Sequence, residues 1–399
     1  MMKSLLGLIM AEYNNFVSKI NLQKNNKYRK VSFSTKYGKL STPLFLPDAT
    51  RAFIKSTDND EVRKTKTEIL MVNTFHLYLQ HKFEIIRKAG GVSNFMSWNQ
   101  PLMSDSGGFQ VFSLLHNHKI KGKITDDYVE FKSPLDGSMH KLDAEKSINI
   151  QFDLATDIMV CLDDCPPHES DEKLMKISVE RTINWAKRAK CEFEKQLKKR
   201  KIKEKDRPLL LAVIQGGLDV DLRRYCAKAL VEIGFDAYGL GARPVDNNGN
   251  FLSEVLRETA LVTPKESLRF ALGVGMPEDI YRSYFLGWDA FDCVIPTREG
   301  RHGRLFYFNQ NFNGFESKIS DVSSGACPEF YKAVNIKNKV FQEDFSAINK
   351  SSDIKVLRDY SKAFLYHLFR LNDPLGQKLA SLNNLEFYQN LIKYLKVIK

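Results

Sequence analysis

The chain has 399 residues, 43% of them hydrophobic, 27% charged and 11% aromatic, which excludes disordered, collagen-like and fibrous classes and requires a folded core. Sixty Lys and Arg against 48 Asp and Glu leave a formal charge of +12. Such a charge concentrates a polyanion such as nucleic acid, although a basic surface without that purpose gives the same number.

At the N-terminus, Leu5–Met10 is apolar but too short for a signal sequence, and no apolar run reaches the ~18 residues of a membrane helix. A cytoplasmic protein is expected. Eight short apolar runs follow, at 43–47, 69–74, 101–104, 157–162, 209–214, 237–240, 270–274 and 291–296. Segments of helical periodicity separate them, for example 173–197 and 221–233. Near-continuous apolar strands alternating with helices indicate a parallel sheet buried on both faces, and eight such units indicate an α/β fold closed as a (β/α)8 TIM-type barrel.

Between the third and fourth runs, residues 120–145 read as a hairpin insertion near the barrel mouth, with Asp136-Gly137 as its turn. The Lys-rich segment 198–207 ends a long helix and precedes the fifth strand. It is either a solvated tail on the far face or an RNA phosphate contact. The barrel is expected over 1–315, and a C-terminal helical appendage over 316–399. The cysteines at 161, 165, 191, 226, 293 and 327 show no close, even spacing and read as reduced thiols.

Functional residues of such barrels sit just beyond the C-terminal ends of the strands. Those positions hold Asn73, Ser104-Asp-Ser-Gly-Gly-Phe-Gln110, Asp163-Asp-Cys165, Gln215-Gly-Gly217, Gly241-Ala242 and Asp292-Cys293. Acids converging on one mouth repel one another and shift each other's pKa values, which favours a site over a set of capping residues. After Asp105, the pair Gly107-Gly108 beside Ser106 lets backbone N–H groups approach a flat ligand, and Phe109 offers a stacking face. Asp163 with Gln215 supplies the acceptors and donor that match a guanine edge better than an adenine edge. Asp292 precedes Thr297-Arg-Glu-Gly-Arg301-His-Gly-Arg304. Flanking cations are expected to keep it ionised, and an ionised carboxylate can attack an anomeric carbon while arginines hold nearby phosphates. An Arg-rich surface turn is the plain structural alternative.

In order, these strings resemble the tRNA-guanine transglycosylase, or queuine tRNA-ribosyltransferase, family over most of the chain. The blocks are Ser104–Leu114, Phe131-Lys-Ser-Pro-Leu-Asp-Gly-Ser138, Val213-Ile-Gln-Gly-Gly217, Gly273-Val-Gly-Met-Pro-Glu-Asp279 and Phe291-Asp-Cys-Val-Ile-Pro-Thr-Arg298. The resemblance implies a barrel enzyme that replaces guanine at the tRNA wobble position by a 7-deazaguanine, preQ1 or queuine. By position, Asp292 is similar to the nucleophile and Asp105 to the general acid/base supported by Asn73. Ser106, Gly107, Gly108, Phe109, Asp163, Cys165, Gln215, Gly241 and Ala242 would bind the base. The anticodon loop would meet Gly273, Val274, Gly275, Met276, Pro277, Glu278 and Asp279, with Thr297, Arg298, Glu299, Gly300 and Arg301. Cys165 and Val245 resemble the bacterial preQ1 pattern.

Three departures qualify the resemblance. The family's structural zinc is bound by Cys-x-Cys-x-x-Cys and a later His, where this chain reads Ser352, Ile354, Leu357 and Asn383. No zinc or other cofactor is expected, and the family's homodimer, whose contacts lie near that subdomain, is put in question. Arg243-Pro244 follows Gly241-Ala242 where the family has Leu and small residues. Pro47-Asp48-Ala49 stands in place of Pro-Val-Gly after the first strand. The altered pocket leaves open base exchange on DNA or another RNA. A non-catalytic RNA-binding partner subunit would lack the nucleophile, and a retaining glycoside hydrolase would not need Gln215 and the arginines.

Overall fold

The structure is a computed structural model describing residues 20–22, 29–79, 83–116, 120–167, 170–310, 312–314 and 327–398. The apolar segment Leu5–Met10 and the expected boundary at 315–316 lie outside the described residues. Strands β1 (Ile20–Leu22), β2 (Val31–Thr35) and β3 (Gly38–Ser41) form an antiparallel sheet. Val31, Phe33 and Leu40 from it pack with the barrel interior, so the sheet plugs the end at which the barrel strands begin.

Each of the eight expected runs overlaps a strand. These are β4 (Leu44–Pro47), β5 (Leu70–Val72), β6 (Leu102–Ser104) and, after the insertion, β10 (Ile158–Val160), β11 (Leu209–Ile214), β12 (Ala237–Leu240), β13 (Leu268–Ala271) and β14 (Ala290–Cys293). Six runs contain their strand, whereas β13 begins two residues before its run and β14 one residue before. They lie in the order β4-β14-β13-β12-β11-β10-β6-β5 with every neighbour parallel. A parallel bridge Asp48↔Met71 and the bond from Ala49 N to Met71 O (2.7 Å) return β5 to β4 and close the (β/α)8 barrel.

Strand side chains alternate between the barrel lumen and the helices outside. Leu44, Leu46, Met71, Met103, Leu211, Val213, Phe270 and Ala290 form the inner cluster, while Phe45, Val72, Leu102, Ala212 and Phe291 face outward. The next inward positions along these strands are Asp48, Asn73, Asp105, Gln215, Gly241 and Asp292. Two-residue periodicity therefore delivers polar side chains from five strands, and Gly241 from a sixth, to one rim.

The outer helices follow from their sequences. Asp171 caps Glu172–Lys199 by accepting from Leu174 N, and Met175, Val179, Thr182, Ala186, Ala189 and Phe193, at helical spacing, are buried against the barrel. The segment after this helix leads into β11 at the strand-start pole, opposite the functional rim, and Arg207 is buried in an ion pair with Asp236 at 2.6 Å. The insertion is a three-stranded antiparallel sheet, β7 (Gly122–Ile124), β8 (Tyr128–Lys132) and β9 (Met139–Asp143). It thus has one strand more than the expected hairpin. Gly137 takes φ +75 in the loop between β8 and β9, and Phe131 packs on Phe75 at 5.5 Å, which docks the sheet beside the rim.

The C-terminal segment begins with the hairpin β15 (Arg304–Phe308) and β16 (Tyr331–Asn335). The last helix, Pro374–Lys396, forms an outer layer over β4 and β14: Tyr388 Oη donates to Gly275 O at 2.6 Å and Gln389 Nε2 to Phe45 O at 3.2 Å. Its Phe387 and Tyr388 share a core with Phe291 and Phe306.

Candidate active site at the barrel rim

Asp105 is held on both oxygens. Asn73 Nδ2 donates to Oδ2, and the backbone N–H groups of Thr74 (2.8 Å) and Gly107 (3.1 Å) donate to Oδ1. The last contact needs the left-handed backbone at Gly107, φ +79, which glycine adopts without strain. Burial pushes the Asp105 carboxyl up to about 7 against the hydrogen bonds from Thr74 and Gly107, with smaller upward contributions from the charges of Asp48 and Asp292. A carboxyl poised there can both give and take a proton at neutral pH.

Asp292 accepts from Gly273 N at 2.9 Å. Burial raises its carboxyl to about 7, that hydrogen bond lowers it, and the Asp48 charge raises it again. The expected ionising effect of neighbouring arginines is not what the structure contains. The chain turns into the helix Ile295–Arg301 directly after β14, and Arg298 and Arg304 engage Glu299 instead, at 3.3 and 3.7 Å. Proximity along the chain did not become proximity to the carboxylate.

Across the rim lies a polar recess. Gln215 Nε2 donates to Asp163 Oδ2 at 2.7 Å, and Ser106 also hydrogen-bonds the Asp163 carboxylate, which burial pushes up to about 6. Asp164, next in sequence, has a different role: it pairs with Arg181 and is buried. Cys165 lies beside Gln215 and Asp163, its thiol pushed up to about 12 by burial, so it is a neutral wall of the recess. Gly241 is needed because a Cβ there would come within 2.3 Å of Gln215 Nε2, and a Cβ on Gly108 would meet Leu162 at 2.8 Å. Ala242 is partly exposed beside Gly241. Phe109 is 61% exposed above the recess, an unpacked aromatic face at the mouth.

Of the residues expected to meet RNA, the structure exposes Gly273 and Arg298, and partly exposes Met276, Glu278, Glu299 and Arg301. It buries Val274, Gly275, Pro277, Asp279, Thr297 and Gly300. These buried members position the others. A Cβ on Gly275 would strike Cys293 Sγ at 2.1 Å, and one on Gly300 would strike the Ser381 backbone at 2.8 Å.

Two features were not anticipated from sequence. Arg223, fully buried on the helix Val220–Ile233, donates to the carbonyls of Gly217 (2.7 Å), Ile214 (3.1 Å) and Gly241 (3.3 Å). It ties together the two loops that carry Gln215 and Gly241. Gln110 Oε1 is buried without a hydrogen-bond partner among the described residues.

A closed parallel barrel with two proton-poised carboxyls facing a carboxylate-and-amide recess defines this rim as an enzyme site of the TIM-barrel type. A sequence profile described as queuine tRNA-ribosyltransferase matches residues 24–397, and the chain belongs to that family. It is 36% identical over 372 residues to the queuine tRNA-ribosyltransferase of Halothermothrix orenii, covering 93% of this chain and 90% of the relative. Identity is 37% over 380 residues, 95% and 91% covered, to that of Caldanaerobacter subterraneus subsp. tengcongensis. It is 35% over 371 residues, 93% and 90% covered, to that of Aliivibrio salmonicida. The chain is accordingly an enzyme of the tRNA-guanine transglycosylase class, a pentosyltransferase.

The family resemblance implies a zinc ion, and the residues at its position do not fit one. Ser352, Ile354, Leu357 and Asn383 come together and are buried. Ser352 Oγ donates to Glu386 Oε2, Asn383 Nδ2 to Phe306 O at 3.0 Å, and Asn349 Nδ2 to Asn383 Oδ1 at 3.0 Å. Ile354 and Leu357 join an apolar cluster with Leu365, Leu368 and Leu379. Protein groups satisfy the polar members, and the apolar ones offer no donor, whereas tetrahedral zinc requires thiolate, imidazole or carboxylate ligands.

Proposed function

We propose that this enzyme exchanges guanine at the wobble position of tRNA for a 7-deazaguanine, preQ1 or queuine, through a covalent ribosyl-Asp292 intermediate. The observation that carries the reading is the set of inward positions at the rim: an attacking carboxylate on β14, a proton-handling carboxyl after β6, and a guanine-matched recess on the strands opposite. Asp292 attacks C1′ of the ribose as the C1′–N9 bond breaks, and guanine leaves with that electron pair and a proton from Asp105. The incoming base then loses its N9 proton to Asp105, and its lone pair attacks C1′ and displaces the Asp292 carboxylate. Asp163 accepts from the base N1–H and N2–H₂, Gln215 meets its carbonyl edge, and Phe109 covers its face. Arg298 and Arg301 lie beside the phosphates of the anticodon loop. The test is labelled guanine with tRNA: incorporation at the wobble position supports the reading, and an inert protein with intact tRNA binding contradicts it.

Arg223 acts by position, because it holds the loops of Gln215 and Gly241 in register. Arg223→Met is expected to lower kcat/KM for exchange roughly tenfold or more and to destabilise the fold by about 2–5 kcal/mol, since three buried carbonyls lose their donor. Urea unfolding with steady-state kinetics checks both effects.

The C-terminal unit folds without zinc in this reading. Metal analysis of purified protein is expected to find zinc far below stoichiometric, and a strong chelator should leave the unfolding midpoint unchanged. Stoichiometric zinc, with a midpoint that falls on chelation, contradicts it.

A further inference from the structure

A third carboxylate stands at the rim, and the mechanism above gives it no task. Asp48 continues the inward series Leu44-Leu46 beyond the end of β4. β14 lies beside β4 with Asp292 in register with Leu46, so Asp48 is two residues further toward the mouth than the partner of Asp292. On its other side it bridges to Met71, two residues short of Asn73. Thr50 O, in the same loop, accepts from Asn73 N at 3.3 Å, and Asn73 in turn holds Asp105. Asp48 is thereby wedged between the nucleophile and the proton-handling carboxyl. The raised carboxyls of both carry a contribution from its charge.

Around the barrel the order is β14, β4, β5, β6, β10, β11, β12, β13. The base recess draws on β10, β11 and β12, the far wall from β14, so a nucleotide with C1′ over Asp292 and its base over Gln215 turns its sugar toward β4. The Asp48 carboxylate has hydrogen bonds from Thr50, the hydroxyl at 2.8 Å, and this pins its orientation. A pinned carboxylate beside the attacking group, on the sugar side, is an acceptor for a sugar hydroxyl, and the hydroxyl next to C1′ is the 2′-OH.

Resting on the tRNA-guanine exchange proposed above, we infer that Asp48 is a specificity-determining residue that accepts a hydrogen bond from the ribose 2′-OH of the nucleotide being exchanged and so selects RNA over a deoxyribose at that position. The contact also turns a repulsive third acid into a bound acceptor once substrate is present.

The test compares guanine exchange by wild type and by Asp48→Ala, each on an anticodon stem-loop of RNA and on the same stem-loop with one 2′-deoxy guanosine at the exchanged position. For wild type the deoxy substitution should lower kcat/KM roughly 10–100-fold, the loss expected for a hydrogen bond to a charged group. For Asp48→Ala the ribo and deoxy stem-loops should be used within about threefold of each other. A variant that is only less stable would lose activity on both substrates and keep the wild-type ratio, and that unchanged ratio overturns the Asp48 assignment. Wild-type protein that exchanges guanine on neither stem-loop overturns the exchange reading itself, and the inference with it.

Discussion

Asp292→Asn is expected to lower guanine exchange by at least roughly 1,000-fold, because the attacking carboxylate is lost while the groups that grip RNA and base remain. The amide is isosteric and still accepts from Gly273 N, which contacts one oxygen only. RNA binding measured by filter retention or anisotropy should stay within a few-fold of wild type. Retained exchange would remove Asp292 from the reaction, and lost binding would recast it as a contact residue.

The same side chain sets the pH response. An attacking carboxylate must be ionised, and burial raises Asp292 to about 7. The limiting kcat/KM should therefore climb roughly tenfold per pH unit at low pH, peak near about pH 7, and fall again at higher pH as Asp105, also raised to about 7, loses the proton it gives to the leaving guanine. Stability runs in the opposite direction. A carboxyl at 3.8 in the unfolded chain and about 7 in the fold costs almost nothing below about pH 3, where both states are protonated. The penalty grows as pH rises between those values and is complete above about pH 7. Asp292→Asn should accordingly stabilise the protein by up to about 4 kcal/mol at pH 8 and leave it nearly unchanged at about pH 3. A rate plateau extending down to pH 5, or a variant no more stable at pH 8 than wild type, would show that Asp292 is ordinary in its acidity. Such a trade of stability for a poised group is common at active sites.

Much of the rim was legible because a parallel barrel repeats one rule. Each apolar run ends in residues that must lie at the mouth, and Asn73, Asp105, Gln215 and Asp292 sit at the inward positions that alternation assigns. Asp163 was legible only as a residue beyond the end of its run, because alternation from Ile158 and Val160 does not assign it inward; Asp164 beside it is indistinguishable in sequence and proves to be the partner of Arg181. What escaped depends on packing between elements far apart in the chain. Nothing in the helical segment 221–233 sets Arg223 apart in sequence, and only the approach of the loops after β11 and β12 makes it a buried brace. Asp48 belonged to a string noted only as unusual, and the register of β4 against β14 and β5 gives it its place. The arginines after Asp292 were misjudged because a helix turn separates neighbours in sequence by direction as well as distance. The last helix was expected as an appendage, yet hydrogen bonds from Tyr388 and Gln389 seat it on the barrel wall.

The positions where the family resemblance implies zinc ligands are instead packed and paired within the protein, as a buried site without metal requires. Ile354 and Leu357 supply apolar volume, and Asn383, Asn384, Ser352 and Glu386 form bonds among themselves and to β15.

The most direct measurement of the central claim is a competition in which the purified enzyme receives labelled guanine together with tRNA and duplex or single-stranded DNA of matched sequence, followed by nucleoside analysis. The predicted result is label recovered as guanosine from the wobble position of tRNA, abolished by Asp292→Asn and displaced by an unlabelled 7-deazaguanine. Label recovered from DNA alone, or incorporation that persists in Asp292→Asn, would contradict it.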